Sequence, residues 1–170
     1  MSNASYASEQ IMPKIEGIRI VKISDGTVID HINAGHALDV LDILGINGKE
    51  GNIVTLAMNI SSSRIGTKDI VKIENRVLED TEVDKIALVA PNATINIIEN
   101  FEIVKKTRVK LPDEIMDVIS CPNPRCVTNK EREPITSKYA VVSKSPLVLK
   151  CLYCWNFIEE VEIIKQFTTK

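Results

Sequence analysis

The chain has 170 residues, 44% of them hydrophobic and 4% aromatic, with 21 basic against 23 acidic side chains. These proportions exclude disorder and describe a core of Ile, Val, Leu and Ala in one large domain or two small ones. Divided after Lys110, the charge is 13 basic to 15 acidic before the cut and 8 to 8 after it, so neither half is the polybasic module that gripping nucleic acid demands.

The opening Met1-Ser2-Asn3-Ala4-Ser5-Tyr6 lacks the basic and apolar regions of a secretory signal, and no apolar run approaches the roughly 18 residues of a membrane span. The chain is therefore read as cytoplasmic, with no membrane partner. Residues 1–14 are taken as a disordered leader, and Ser2-Asn3-Ala4 has the composition of a cloning scar.

Ile18 to Ile23 alternate as a half-buried strand, and Ser24-Asp25-Gly26 turns into a second short apolar piece at Thr27-Val28-Ile29. Asn33 is the expected N-cap of a helix whose Ala37, Leu38, Leu41 and Leu44 recur at helical spacing before Gly45. A loop over 46–52 leads to a strand at 53–60, a Ser61-Ser62-Ser63 turn and an alternating strand from Lys68 to Glu74 that puts Lys68 and Lys72 on one face.

Acidic residues crowd the start of a second helix, Glu79 to Ala90, which Pro91 stops. A strand pair follows at Thr94–Ile98 and Phe101–Val104. The order is β-α-β-β-α-β with an extra strand, a ferredoxin-like α+β plait over residues 15–110. Residues 107–120 connect it to a β-rich module, 111–170, with strands expected at 139–142, 147–150 and 157–164.

All four cysteines fall in that second module, as Cys121-x4-Cys126 and Cys151-x2-Cys154 with 24 residues between the pairs. Two tight turns that each offer two thiolates are the ligand set of one structural Zn²⁺ in a zinc ribbon. The competing readings are two disulfides or four separate buried thiols. Four thiolates leave no open position for a substrate, so the metal is expected to fold the module and not to do chemistry.

No dinucleotide fingerprint or phosphate loop is present. Asp30-His31 follows a strand, and Lys68, Lys72 and Lys106 lie on or beside neighbouring strands. Ammonium groups and a histidine donor that converged there would hold a polyphosphate, while the Asp carboxylate accepted a ribose hydroxyl or oriented the histidine. Pattern alone does not separate this from a solvated lysine face.

Four strings carry a resemblance: Gly26-Thr-Val-Ile-Asp-His-Ile32, Gly66-Thr-Lys-Asp-Ile-Val-Lys-Ile-Glu-Asn75, Ala90-Pro-Asn-Ala-Thr-Ile-Asn96, and Cys121-Pro-Asn-Pro-Arg-Cys126 with Lys150-Cys-Leu-Tyr-Cys154. From about Ile18 to Phe157 the chain closely resembles the regulatory chain of aspartate carbamoyltransferase. The resemblance implies a non-catalytic chain with a nucleotide-binding allosteric domain and a zinc domain that docks on the catalytic chain. In that family CTP inhibits, ATP activates and UTP sometimes reinforces CTP, while regulatory dimers bridge catalytic trimers in pyrimidine biosynthesis.

Carried over by position, Asp30, His31, Lys72 and Lys106 match residues that hold the ribose and triphosphate, with Lys68 beside them. Ile23, Phe101 and Ile103 match strand positions at the base. Phe101 stands where the family pattern has Tyr, and Val21 where it has an acidic residue. Cys121, Cys126, Cys151 and Cys154 align with the zinc ligands, and Asn123 and Tyr153 with contacts to the catalytic chain. Arg125 replaces an Asn of the pattern. The alternative, a zinc-ribbon nucleic-acid-binding adaptor, lacks both a basic surplus and an aromatic cluster on the plait.

Overall fold

The computed structural model describes residues 21–168, so the leader and residues 18–20 of the first expected strand lie outside the described residues. Residues 21–23 are not in a strand. The first sheet is built from β1 (Gly26–Asn33), β2 (Val54–Ser62), β3 (Gly66–Glu74), β4 (Thr94–Glu99) and β5 (Glu102–Arg108), with α1 (Ala37–Ile43) after β1 and α2 (Asp80–Val89) after β3. Its strand order is β2-β3-β1-β4-β5 with every pair antiparallel, the ferredoxin-like plait with β5 added at one edge.

Alternation explains which face the helices cover. Ile29, Val71, Ile73 and Ile95 point to one side and join Val40 of α1 and Ile86 and Val89 of α2 in a buried cluster. Val28, Lys72 and Asn96 point to the other.

Two β-bulges break this alternation on either side of β3, and a third interrupts β5 opposite Ile97 and Ile98. Ile29 pairs with Val71 and Ile32 with Asp69, so Asp30 and His31 together oppose one residue of β3. His31 takes φ 60 there. The extra residue turns both Ile29 and Ile32 inward, each fully buried, and leaves Asp30-His31 at the kink. A matching bulge in β2 places Asn59 at φ 56 opposite the same stretch of β3.

Asp69 ties the two bulges beside β3 together. Its carboxylate is buried and accepts the N–H groups of Asn59 at 2.8 Å, Gly35 at 2.8 Å and Ala37 at 3.1 Å. Because β1 continues to Asn33 and turns through Gly35, α1 begins at Ala37 with His36 at its N-cap, later than the cap expected at Asn33.

The second sheet contains β6 (Glu114–Met116), β7 (Lys138–Lys144), β8 (Leu147–Cys151) and β9 (Phe157–Glu159) in that order, all antiparallel. The strand expected over 157–164 stops at Glu159, and α3 (Glu160–Thr168) follows. A short apolar-polar alternation in a β-branched run reads equally as strand or helix. Tertiary packing decides it here, because Ile163 is fully buried and Ile164 and Phe167 join it against α1 and α2. The Gln166 amide adds a two-point clasp to the backbone of Ser120, at 2.8 and 2.9 Å.

Val109 and Leu111, on either side of the passage between the sheets, are buried, and one apolar cluster runs continuously from α1 and α2 to the cysteines. Among the described residues no helix is long and apolar enough to cross a membrane.

Candidate functional site

On the open face of the first sheet a pocket of about 260 Å³ is lined by Lys22, Ile23, Val28, Lys72, Asn96, Ile98, Phe101 and Ile103. Four residues expected from the sequence, Ile23, Lys72, Phe101 and Ile103, therefore meet in one place. Strand register explains their convergence: Val28 pairs with both Lys72 and Asn96, Asn96 with Lys106, and Ile98 with Ile103. Lys72, Val28, Asn96 and Lys106 form one row across four strands, about 14 Å long at the usual inter-strand spacing.

Lys72 is buried, and its ammonium donates to the backbone carbonyl of Val21. Burial pulls its pKa below the ordinary lysine value, an effect that the charge of Glu74 opposes. Asn96 sits beside it, with its Oδ1 buried and without a partner among the described residues. Lys106 is exposed at the far end of the row.

Phe101 forms the rim through an unusual turn. Asn100 (φ 50) and Phe101 (φ 65) link β4 to β5 as a two-residue hairpin loop with both residues left-handed. A bulky residue rarely adopts this conformation. The chain around Ser24 and Asp25 holds it there: the Ser24 carbonyl accepts the Phe101 N–H at 2.8 Å and Asp25 Oδ1 accepts the Asn100 N–H at 3.2 Å. Phe101 is 61% exposed.

Asp30, His31 and Lys68 lie outside the pocket lining, at the bulge. Lys68 Nζ donates to Asp30 Oδ1 at 2.7 Å, and the same oxygen accepts the His31 N–H at 2.7 Å. His31 Nδ1 lies 3.1 Å from Asp30 Oδ2 but is not aligned for a hydrogen bond, so this buried ring nitrogen has no partner among the described residues. Asp30 thus fixes the local backbone and neutralises one of the expected lysines.

Sequence reasoning did not single out Asn96. The signal was available: Thr94, Asn96 and Ile98 alternate with Ile95 and Ile97, which puts an amide on the face that carries Lys72.

In the second module the four cysteine sulfurs lie within 4.8 Å of one another, with Cys121 and Cys154 at 3.5 Å and Cys126 and Cys151 at 3.9 Å. Tetrahedral bonds of about 2.3 Å to one zinc require sulfurs about 3.8 Å apart, so this set fits a metal ion. None of the four forms a disulfide.

The knuckles are built for thiolates. The backbone N–H of Asn123 faces Cys121, those of Tyr153 and Cys154 face Cys151, and that of Asn156 faces Cys154. Thr128 Oγ1 donates to Cys126 Sγ at 3.2 Å. Asn129, missed in the sequence, braces the longer knuckle by donating to the carbonyls of Cys121 (2.7 Å) and Asn123 (2.9 Å). In the second knuckle the left-handed Trp155 (φ 63) closes the turn by donating to the Cys151 carbonyl.

Asn123 and Tyr153 sit on the two knuckles. The Asn123 side chain accepts the Arg125 N–H at 3.0 Å, and Tyr153 is part of an exposed apolar group with Leu152, Trp155 and Phe157. Lys150 Nζ lies 4.9 Å from the Trp155 ring centroid and 5.7 Å from that of Phe157, within cation–π range.

Together these features define a two-module binding chain: an antiparallel sheet with a cation-bearing pocket, joined to a four-cysteine metal centre. Residues 18–110 match the allosteric domain of the aspartate carbamoyltransferase regulatory chain, and residues 113–164 match the metal binding domain of the same chain. An aspartate carbamoyltransferase regulatory chain from Thermofilum pendens is 54% identical over 154 residues, covering 91% of this chain and 97% of the relative. One from Hyperthermus butylicus is 52% identical over 150 residues (88% and 94%), and one from Methanothermobacter thermautotrophicus is 49% identical over 156 residues (92% and 99%). The chain belongs to the aspartate carbamoyltransferase regulatory chain family. It is a regulatory, non-catalytic chain with an allosteric and a metal-binding domain.

Proposed function

We propose that this chain is the nucleotide sensor of an aspartate carbamoyltransferase, taking CTP as inhibitor and ATP as activator on the open face of residues 15–110. The observation that carries the reading is Lys72, a buried ammonium that among the described residues donates to one backbone carbonyl and is in no ion pair, Glu74 acting on it only at longer range. A buried cation without a counter-ion is costly, and a phosphate supplies the missing charge.

In this reading the phosphates span the row from Lys72 to Lys106, with Asn96 between them. Asp30, His31 and Lys68 border the ribose, and the base lies against Ile23, Phe101 and Ile103. Burial of Lys72 favours a ligand that brings negative charge. Phe101, held at the rim by Ser24, offers a ring face to either base. UTP has the same phosphates and would compete for the same row.

The ion in the cysteine cluster is Zn²⁺ in this proposal, held by Cys121, Cys126, Cys151 and Cys154, and it supplies folding energy to the two knuckles. Catalytic chains dock on the knuckle surface through Asn123, Tyr153 and the exposed aromatics beside it. Regulatory dimers then bridge catalytic trimers, so the chain acts on pyrimidine biosynthesis without performing chemistry.

An effector shifts the holoenzyme only if the pocket differs between two quaternary states. The route is short in this fold. β5 carries Ile103 and Lys106 and runs directly into Val109 and Leu111, which are buried between the two sheets. A change in strand position on nucleotide binding is thereby passed to the passage over residues 107–120.

The test is calorimetric titration of CTP and of ATP into the zinc-loaded chain, alongside Lys72→Met and Lys106→Ala. Saturable binding that is lost in Lys72→Met and weakened in Lys106→Ala is expected. Undiminished binding in both variants, or no binding to the folded wild-type chain, overturns the site.

A further inference from the structure

Tyr139 is the largest of the fully buried side chains. It lies on β7 directly opposite Cys151 of β8, and among the described residues its hydroxyl has no hydrogen-bond partner. The sulfurs of Cys121, Cys151 and Cys126 act on that hydroxyl, and Cys121, which comes nearest to bonding it, is not aligned to accept its O–H. An orphaned hydroxyl in a closed apolar environment is costly, and a tyrosine in a core normally points its O–H at an acceptor.

A neutral thiol is a poor acceptor, whereas a metal-bound thiolate is a good one. Cys126 already receives the Thr128 hydroxyl, and Cys151 receives the N–H groups of Tyr153 and Cys154. Cys121 faces one backbone donor, the Asn123 N–H. We propose that the Tyr139 hydroxyl donates a hydrogen bond to the metal-bound thiolate of Cys121, making Tyr139 a positioning residue that anchors the metal centre to the sheet behind it. This inference rests on the metal reading above and extends it to a residue outside the two knuckles.

The two possible roles of the hydroxyl predict opposite signs. If it merely fills space, Tyr139→Phe keeps the ring, removes an unpaired polar group and leaves metal retention equal or improved. If it is a donor, the same change weakens retention, about tenfold or more by the usual effect of groups that bond to metal ligands.

The experiment uses the full zinc-loaded chain and measures zinc transfer to a chromophoric chelator across pH, for wild type, Tyr139→Phe and, as a calibrating donor deletion, Thr128→Val. Tyr139→Phe should release zinc about tenfold more readily and at higher pH. In the cobalt-substituted protein it should shift the thiolate-to-metal charge-transfer band. A measurement that needs no variant is NMR of the wild-type chain loaded with a spin-active cadmium isotope, where the Tyr139 hydroxyl proton should couple to the metal. Retention and charge-transfer band unchanged in Tyr139→Phe, or no coupling in the cadmium protein, overturns the proposal while the metal site stands. A folded wild-type chain that takes up no zinc overturns the metal reading and this one with it.

Discussion

The ammonium of Lys68 lies 2.7 Å from Asp30 Oδ1 across the β1–β3 pair, and the two residues are 38 positions apart in the chain. The β1 bulge creates this contact, because it places Asp30 and His31 together against one residue of β3. Both side chains are mostly sheltered, at 16% and 22% exposed, so the pair has more weight than an ordinary surface ion pair. Lys68→Met should destabilise the folded domain by about 1–3 kcal/mol. The Asp30→Asn, Lys68→Met double variant should lose less than the sum of the single changes, as read from urea unfolding midpoints.

Lys72 should make nucleotide binding pH-dependent. Burial holds its pKa below the ordinary 10.5, so the folded chain binds this proton less tightly than the unfolded chain does. The resulting penalty on stability is fully present below the lowered pKa and fades as pH rises from there to 10.5. A bound phosphate favours the charged form, so binding should take up a proton in alkaline buffer and weaken as pH climbs through this pKa. Titrations in buffers of different ionisation enthalpy check the uptake, and Lys72→Met should abolish it.

Gly26 cannot carry a side chain. It has φ +132, and an added Cβ would stand 2.2 Å from the carbonyl oxygen of Ile73. The obstruction is backbone in the central β1–β3 ladder, so it cannot swing aside. Gly26→Ala should cost about 1–3 kcal/mol or more. The loss should appear as a lowered melting temperature of the allosteric domain, with weaker nucleotide binding as the pocket row shifts.

Metal removal should unfold the second module. Chelation is expected to abolish the near-ultraviolet signal of Trp155 and to expose the amides of β7 and β8 to hydrogen exchange, while β1 and β3 stay protected. Burial pushes the thiols of Cys121 and Cys151 upward, so without metal they are protonated at neutral pH and uptake of the ion expels protons. Affinity should therefore fall as pH drops, and zinc release to a chelator between about pH 8 and 5 measures the slope.

Trp155 offers a stability-neutral test of docking. It is 69% exposed and lies beside Lys150 and Phe157. Trp155→Ala should change folding stability by less than about 0.5 kcal/mol but lower affinity for catalytic trimers. Analytical ultracentrifugation of the mixed chains reads the difference, and unimpaired assembly places the interface elsewhere.

Much of this protein is local in origin. Apolar period and turn residues were enough to read the order of strands and helices over 26–108, and the metal centre was legible because paired cysteines at short spacing have few other physical uses. Strand alternation also puts Lys68 and Lys72 on one face. Other features depended on contacts between distant segments. The Asp30-His31 bulge exists because Ile29 and Ile32 must both face the helices, and no strand pattern announces it. Asn96 becomes a pocket residue through its register with Val28 and Lys106. Residues 160–168 form α3 because Ile163 has a buried place beside α1, although the local pattern reads as strand up to Ile164. Period and spacing act along the chain and can be read from it, whereas register, burial and the pairing of charges are set by which segments meet, and only the tertiary structure decides that.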